Sequence, residues 1–171
     1  MTIRFLTLFA LLLLALFTAE LTSPVQAHLV RPWTDGLAAA SGRVAAMFDS
    51  GVTSSGAVIL DRASGFGVEI VAGCNGVEAM LVPVAAILAF RAPWRIRLAG
   101  LSAGFVAIQG LNLVRVVSLF YLGRWNFAVF EFAHLYLWQA LIMLDVVVVW
   151  LLWLRWVNRA PAAEDGGNIP G

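Results

Sequence analysis

The chain has 171 residues, 61% of them apolar and only 12% charged, against roughly 45–50% apolar for a soluble domain. A net charge of +1 excludes the basic field that nucleic acid requires. One cysteine, Cys74, excludes an internal disulfide and a multi-cysteine zinc site, and two histidines, His28 and His134, are too few for a metal cluster.

Four apolar stretches follow in chain order, at residues 5–21, 77–90, 98–122 and 127–154. A helix needs about 20 residues to cross a hydrocarbon core of about 30 Å. The second stretch is short, so its helix is expected to begin at or near Cys74. The expected fold is mainly α: a polytopic bundle of about four transmembrane helices. All eleven cations are arginines. Arg4, then Arg91, Arg95 and Arg97, then Arg155 and Arg159 mark alternate ends of the four spans. The positive-inside rule places those ends in the cytoplasm and residues 22–73 outside. Trp33, Trp94, Trp125, Trp153 and Trp156 fall near the expected interfaces, where indole rings are favoured. The first span has a second reading. Arg4, an apolar run and Val25-Gln26-Ala27 also resemble a cleavable signal peptide.

Residues 28–50 carry apolar side chains at helical spacing: Leu29, Val30, Trp33, Leu37, Ala40, Val44 and Met47. They predict an extracytoplasmic amphipathic helix, lying on the membrane or capping the bundle. Residues 57–71 change to period two, with Ser64-Gly65 at a turn, and predict a short β-hairpin leading into Gly73-Cys74. An irregular loop is the alternative. Residues 1–159 then form one membrane-embedded domain, with 22–73 inserted after the first span. The Pro/Gly-rich residues 160–171 are expected to be a disordered cytoplasmic tail.

Three reactive side chains fall at one depth. From the arginine-flanked end of its own helix, Cys74 is seventeen residues from Arg91, Arg115 eighteen from Arg97 and His134 twenty-one from Arg155. At 1.5 Å per residue these are about 25, 27 and 31 Å, near the outer boundary of the core. A lone cysteine in a membrane protein is otherwise a small apolar filler. Here it is flanked by glycines and followed by a helix start, which favours a thiolate and offers free N–H groups to an oxyanion. Arg115 lies inside an apolar run, where a charge costs about 2.5–3.5 kcal/mol on insertion scales and faces a partner or water. Its alternative is to snorkel to the headgroups. His134 follows Glu131 by three residues on one helical face, so Glu131 is placed to orient the imidazole; an interfacial histidine bonded to backbone or water is the alternative. Asn112 shares a face with Arg115, and Glu78 follows Cys74 by four residues; both are candidate supports, as are Asn75 and Gly76. Asp145 lies about 16 Å from His134 along the axis, too far for contact, and is expected to pair within the bundle. His28 has no such geometry and is read as structural.

Three stretches carry a family resemblance. Cys74-Asn75-Gly76-Val77-Glu78-Ala79, Asn112-Leu113-Val114-Arg115-Val116-Val117-Ser118 and His134-Leu135-Tyr136-Leu137-Trp138-Gln139 resemble the exosortase/archaeosortase family, closest to the short branch called exosortase H. The resemblance spans most of the chain. It implies a cysteine protease or transpeptidase of the bacterial cytoplasmic membrane, with its active site on the extracytoplasmic side. It places the nucleophile, cation and base at Cys74, Arg115 and His134. The implied substrates are exported proteins whose C-terminal tail has a short motif, a transmembrane helix and a basic cluster, passed to an acceptor nucleophile or to water. The lipid bilayer is the other expected partner, and no metal or cofactor is required. Many members have more spans than four. The rival readings are a non-catalytic assembly subunit, with Arg115 and Asp145 serving helix packing, and a small transporter, with both lining a pathway.

Overall fold

A computed structural model describes residues 2–159; the tail expected to be disordered, residues 160–171, lies outside the described residues. The first apolar run forms helix α1, Thr2–Glu20. Inside it the Thr7 and Thr18 hydroxyls donate to the carbonyls of Ile3 and Leu14 at 2.9 and 2.7 Å, leaving neither hydroxyl unpaired in an apolar setting. The chain breaks at Leu21-Thr22 and restarts as a short helix α2, Ser23–Val25, with Pro24 in its first turn. A π-helical segment, Gln26–Val30, leads into helix α3, Arg31–Ala46.

Helix α3 is amphipathic, and of the expected apolar positions Val30 and Leu37 are buried and Trp33, Ala40 and Val44 half-buried. Thr34, Leu37, Ala38, Ser41, Gly42 and Ala45 are buried, whereas Leu29 and Met47 are exposed. Small side chains let the helix approach closely. A methyl group on Gly42 would stand 2.9 Å from the Ser54 Cβ. The expected hairpin is present as β2, Val58–Asp61, and β3, Gly67–Glu69, with Ile59 opposite Val68. Gly65 takes the left-handed conformation (φ +72°) in its turn. A further strand, β1 (Val52–Ser55), pairs antiparallel with β2, so the sheet has three strands in the order β1-β2-β3. One apolar residue in Val52-Thr53-Ser54-Ser55 gave β1 no alternation signal.

The second apolar run forms α4, Val77–Ala89. It starts three residues after Cys74, near the expected position; Gly76 caps it with φ +75°, a turn that only glycine enters without strain. Thirteen residues span about 20 Å, short of the core thickness. Helix α5, Trp94–Trp125, runs for 32 residues. Asn126 caps helix α6, Phe127–Phe132, accepting the N–H groups of Ala128 and Val129 at 2.9 and 3.2 Å. A π-helical turn, Ala133–Leu137, joins α6 to α7, Trp138–Arg159. Three continuous helical stretches, at Ile3–Glu20, Trp94–Trp125 and Phe127–Arg159, are long and apolar enough to cross a membrane, and α4 is a shorter apolar helix.

The arginine-flanked ends meet, as the spacing requires. The Phe5 and Phe90 ring centroids each lie 6.1 Å from that of Trp150, and Phe90 meets Trp153 edge-on. Trp153 is buried. Its indole N–H donates to the Ile96 carbonyl at 3.2 Å, and it fills the space over Gly100. At the opposite end α3, the sheet and α5 share a core of Leu37, Ala38, Ile59, Ile70, Val116 and Phe120, and Cys74 packs on its edge.

Candidate active site

Cys74 sits in the turn between β3 and α4. Its N–H donates to the Val71 carbonyl at 3.0 Å. Gly73, at φ +81°, donates its N–H to a Glu78 carboxylate oxygen at 2.8 Å. Glu78 therefore ties the turn to the first turn of α4. Asn75 is buried and clamps the other side. Its carbonyl Oδ1 accepts from the Val77 N–H at 3.0 Å, and its amide donates to the Thr34 hydroxyl at 3.1 Å. The Trp33 indole N–H donates to the Asn75 backbone carbonyl at 3.1 Å, and its ring meets Phe105 edge-on. Trp33 and Thr34 thus join α3 to the cysteine turn. The sequence places Trp33 at the interface and on the apolar face of the amphipathic helix, and no spacing rule links it to a residue 42 positions away.

The thiol meets the other two groups. Cys74 Sγ lies 3.4 Å from His134 Nε2, and Arg115 Nη2 lies 3.6 Å from the same sulfur. Arg115 is 4% exposed, so it turns into the bundle instead of snorkelling. The imidazole lies parallel to the Phe130 ring, centroids 5.6 Å apart and planes 12° from each other. The π-helical turn carries His134, and the wider winding changes which side chains align behind it. Glu131 is accordingly exposed and makes no hydrogen bond to the imidazole among the described residues. Phe130, not Glu131, fixes the ring plane. A small cavity of about 90 Å³ opens beside the three groups, lined also by Val68, Glu69, Ile70 and Val71 of the β3 strand and its exit.

Behind the turn lies a buried polar layer. Gly76 is so close to α5 that a methyl group on it would stand 2.9 Å from both the Asn112 and Gln109 side chains. Gln109 donates to the Gly76 carbonyl at 3.1 Å. Asn112 is fully buried, and neither end of its amide has a partner among the described residues; the expected bond to Arg115 is absent, and Arg115 Nε is likewise unpartnered. Asp145 was expected to pair within the bundle. Its Oδ2 is buried with no partner among the described residues. Contacts of Gly100 with Trp153 and of Gly104 with Val149 register α5 against α7 and put Asp145, one turn beyond Val149, about level with Ile108. That is well inside the bundle from His134. No group of three or more metal-ligating side chains occurs among the described residues.

The architecture is that of a mainly α, polytopic membrane protein with a small sheet at one end. The family model for transmembrane exosortases (Exosortase_EpsH) matches residues 2–153. The chain belongs to that family. Membership supports a membrane protease or transpeptidase role in general terms. No curated protein and no solved structure matches the chain.

Proposed function

We propose that the protein is an integral-membrane cysteine protease or transpeptidase that cleaves exported proteins at a C-terminal sorting tail. The observation that carries this reading is the meeting of Cys74, His134 and Arg115 within 3.4 and 3.6 Å of one sulfur. His134 Nε2 takes the thiol proton, and the Cys74 sulfur attacks a peptide carbonyl carbon. Negative charge develops on the carbonyl oxygen beside the Arg115 guanidinium, which is already desolvated and fixed. The C–N bond then breaks, and His134 returns the proton to the leaving amine. A thioester remains on Cys74 until water or an acceptor amine attacks it.

In this reading Asn75, Gly76 and Glu78 hold the cysteine turn, and Asn112 packs behind it. The outer edge of β3 has no strand partner among the described residues. It borders the cavity, so an extended polypeptide pairing there brings its backbone past the sulfur. The pocket end of the bundle faces away from the cytoplasm, because the opposite end carries Arg4, Arg91, Arg95 and Arg97. The substrate tail then runs down through the bilayer with its own basic cluster at the arginine-rich end, in the cytoplasmic membrane of a bacterium.

Co-expression with a tail-bearing protein tests this. Cys74→Ala and Cys74→Ser should abolish cleavage. His134→Ala should slow it by about 10²–10⁴-fold, and Arg115→Ala by about 10²–10³-fold. Continued processing by Cys74→Ala would remove the nucleophile. Asp145, half-buried and with a buried Oδ2 that has no partner among the described residues, is the feature that favours transport instead. A transporter would lose function in Asp145→Asn and keep it in Cys74→Ala.

A further inference from the structure

At the arginine-rich end, far from Cys74 in the chain's topology, α1, α4 and the start of α5 line an open cavity of about 790 Å³. That volume lies within the roughly 300–1,000 Å³ typical of small-molecule sites. Its lining combines apolar Phe5, Leu8 and Leu88 with three arginines, Arg4, Arg91 and Arg97. Arg97 is held in place by donating from Nη2 to the Phe90 carbonyl at 2.7 Å, yet its Nε is buried with no partner. None of the three arginines makes an ion pair among the described residues. Three cations around one cavity repel each other, and a desolvated donor without an acceptor is costly. An anion in the cavity relieves both.

We propose that this cavity binds an anionic phospholipid. The phosphate lies among Arg4, Arg91 and Arg97, and an acyl chain lies along Phe5, Leu8 and Leu88. A free phosphate leaves the apolar lining uncovered. A choline headgroup adds a fourth cation beside three guanidiniums. The lipid fits because it presents both kinds of surface at once, at the depth where headgroup and chain meet. It also bridges α1 to α4 and α5, and so fastens the first helix to the rest of the bundle. The proposal does not depend on the catalytic reading of Cys74.

Native mass spectrometry of the purified full chain in detergent tests it, with dioleoyl phosphatidylglycerol and dioleoyl phosphatidylcholine supplied at equal concentration. The wild-type chain should carry phosphatidylglycerol in about tenfold preference or more, given the attraction of each arginine for an anionic headgroup. The double variant Arg4→Gln/Arg97→Gln should lose that preference. Arg95→Gln, on an exposed residue outside the cavity, should keep it. Equal occupancy by the two lipids in the wild-type chain would overturn the proposal, even if the double variant failed to fold. A preference that survives in a folded double variant would overturn it equally.

Discussion

Gly76 decides whether the cysteine turn can exist. It needs a left-handed φ of +75°, and it needs an empty Cβ position against Asn112 and Gln109. An alanine there meets both obstacles. Strain of this kind costs about 1–3 kcal/mol, and relief by moving α5 would carry Arg115 with it. Gly76→Ala is therefore expected to lower the thermal midpoint in detergent and to reduce cargo cleavage beyond what the loss of folded protein explains. An unchanged midpoint with full cleavage would show that the turn tolerates a side chain. Arg115 illustrates the same economy of placement. Buried without a carboxylate partner among the described residues, it holds Nη2 3.6 Å from the Cys74 sulfur, where it supplies a positive field to developing oxyanion charge.

The sheet is an element whose attachment controls the site, because β3 and its exit form one wall of the cavity. Phe66 packs over Gly123, and Arg124 at the end of α5 binds Asp49 while its Nε lies 3.4 Å from the buried Asp61 carboxylate. The Ser64 hydroxyl and the Ala63 N–H hold the Asp61 carboxyl below its ordinary range. Arg124 and the Gly51 N–H do the same for Asp49. Both groups bind protons more weakly folded than unfolded. Their stabilisation is complete above the ordinary aspartate value of about 3.9 and is lost as pH falls through the depressed folded values. Thermal unfolding in detergent should show an acid limb below about pH 4 that becomes shallower in Asp49→Asn. An identical acid limb in the variant would detach Asp49 from the effect. Helix α3 contributes at the same scale: Trp33 and Thr34 reach the Asn75 turn from one side while Arg124 fastens the sheet from the other.

At the scale of the whole molecule, two ends with different chemistry define one axis. Arginines and stacked aromatic rings gather at one end, and the sheet, α3 and the thiol pocket at the other. If the pocket end faces outward, a membrane-impermeant maleimide should label Met47→Cys in intact cells and Arg95→Cys only after permeabilisation, each in a Cys74→Ser background. Both positions are exposed. The reverse pattern would invert the proposed orientation.

The sequence by itself determined the membrane class, the apolar segments, the β2–β3 hairpin and the common depth of Cys74, Arg115 and His134. Apolar length, arginine placement and residue spacing are properties of the chain taken one segment at a time. Rotation about each helix axis is not, and it decides which side chains meet. Only the packed structure buried Thr34, Ser41 and Gly42 of α3 beside Leu37, replaced Glu131 by Phe130 behind the imidazole, and left Asn112 without the bond to Arg115 that their shared face suggested. It also placed Trp33 beside Asn75 and set Arg4, Arg91 and Arg97 around one cavity. Those contacts join residues far apart in the sequence, and they form because a short α4, a glycine cap and a π-helical turn set the helices' depth and rotation together.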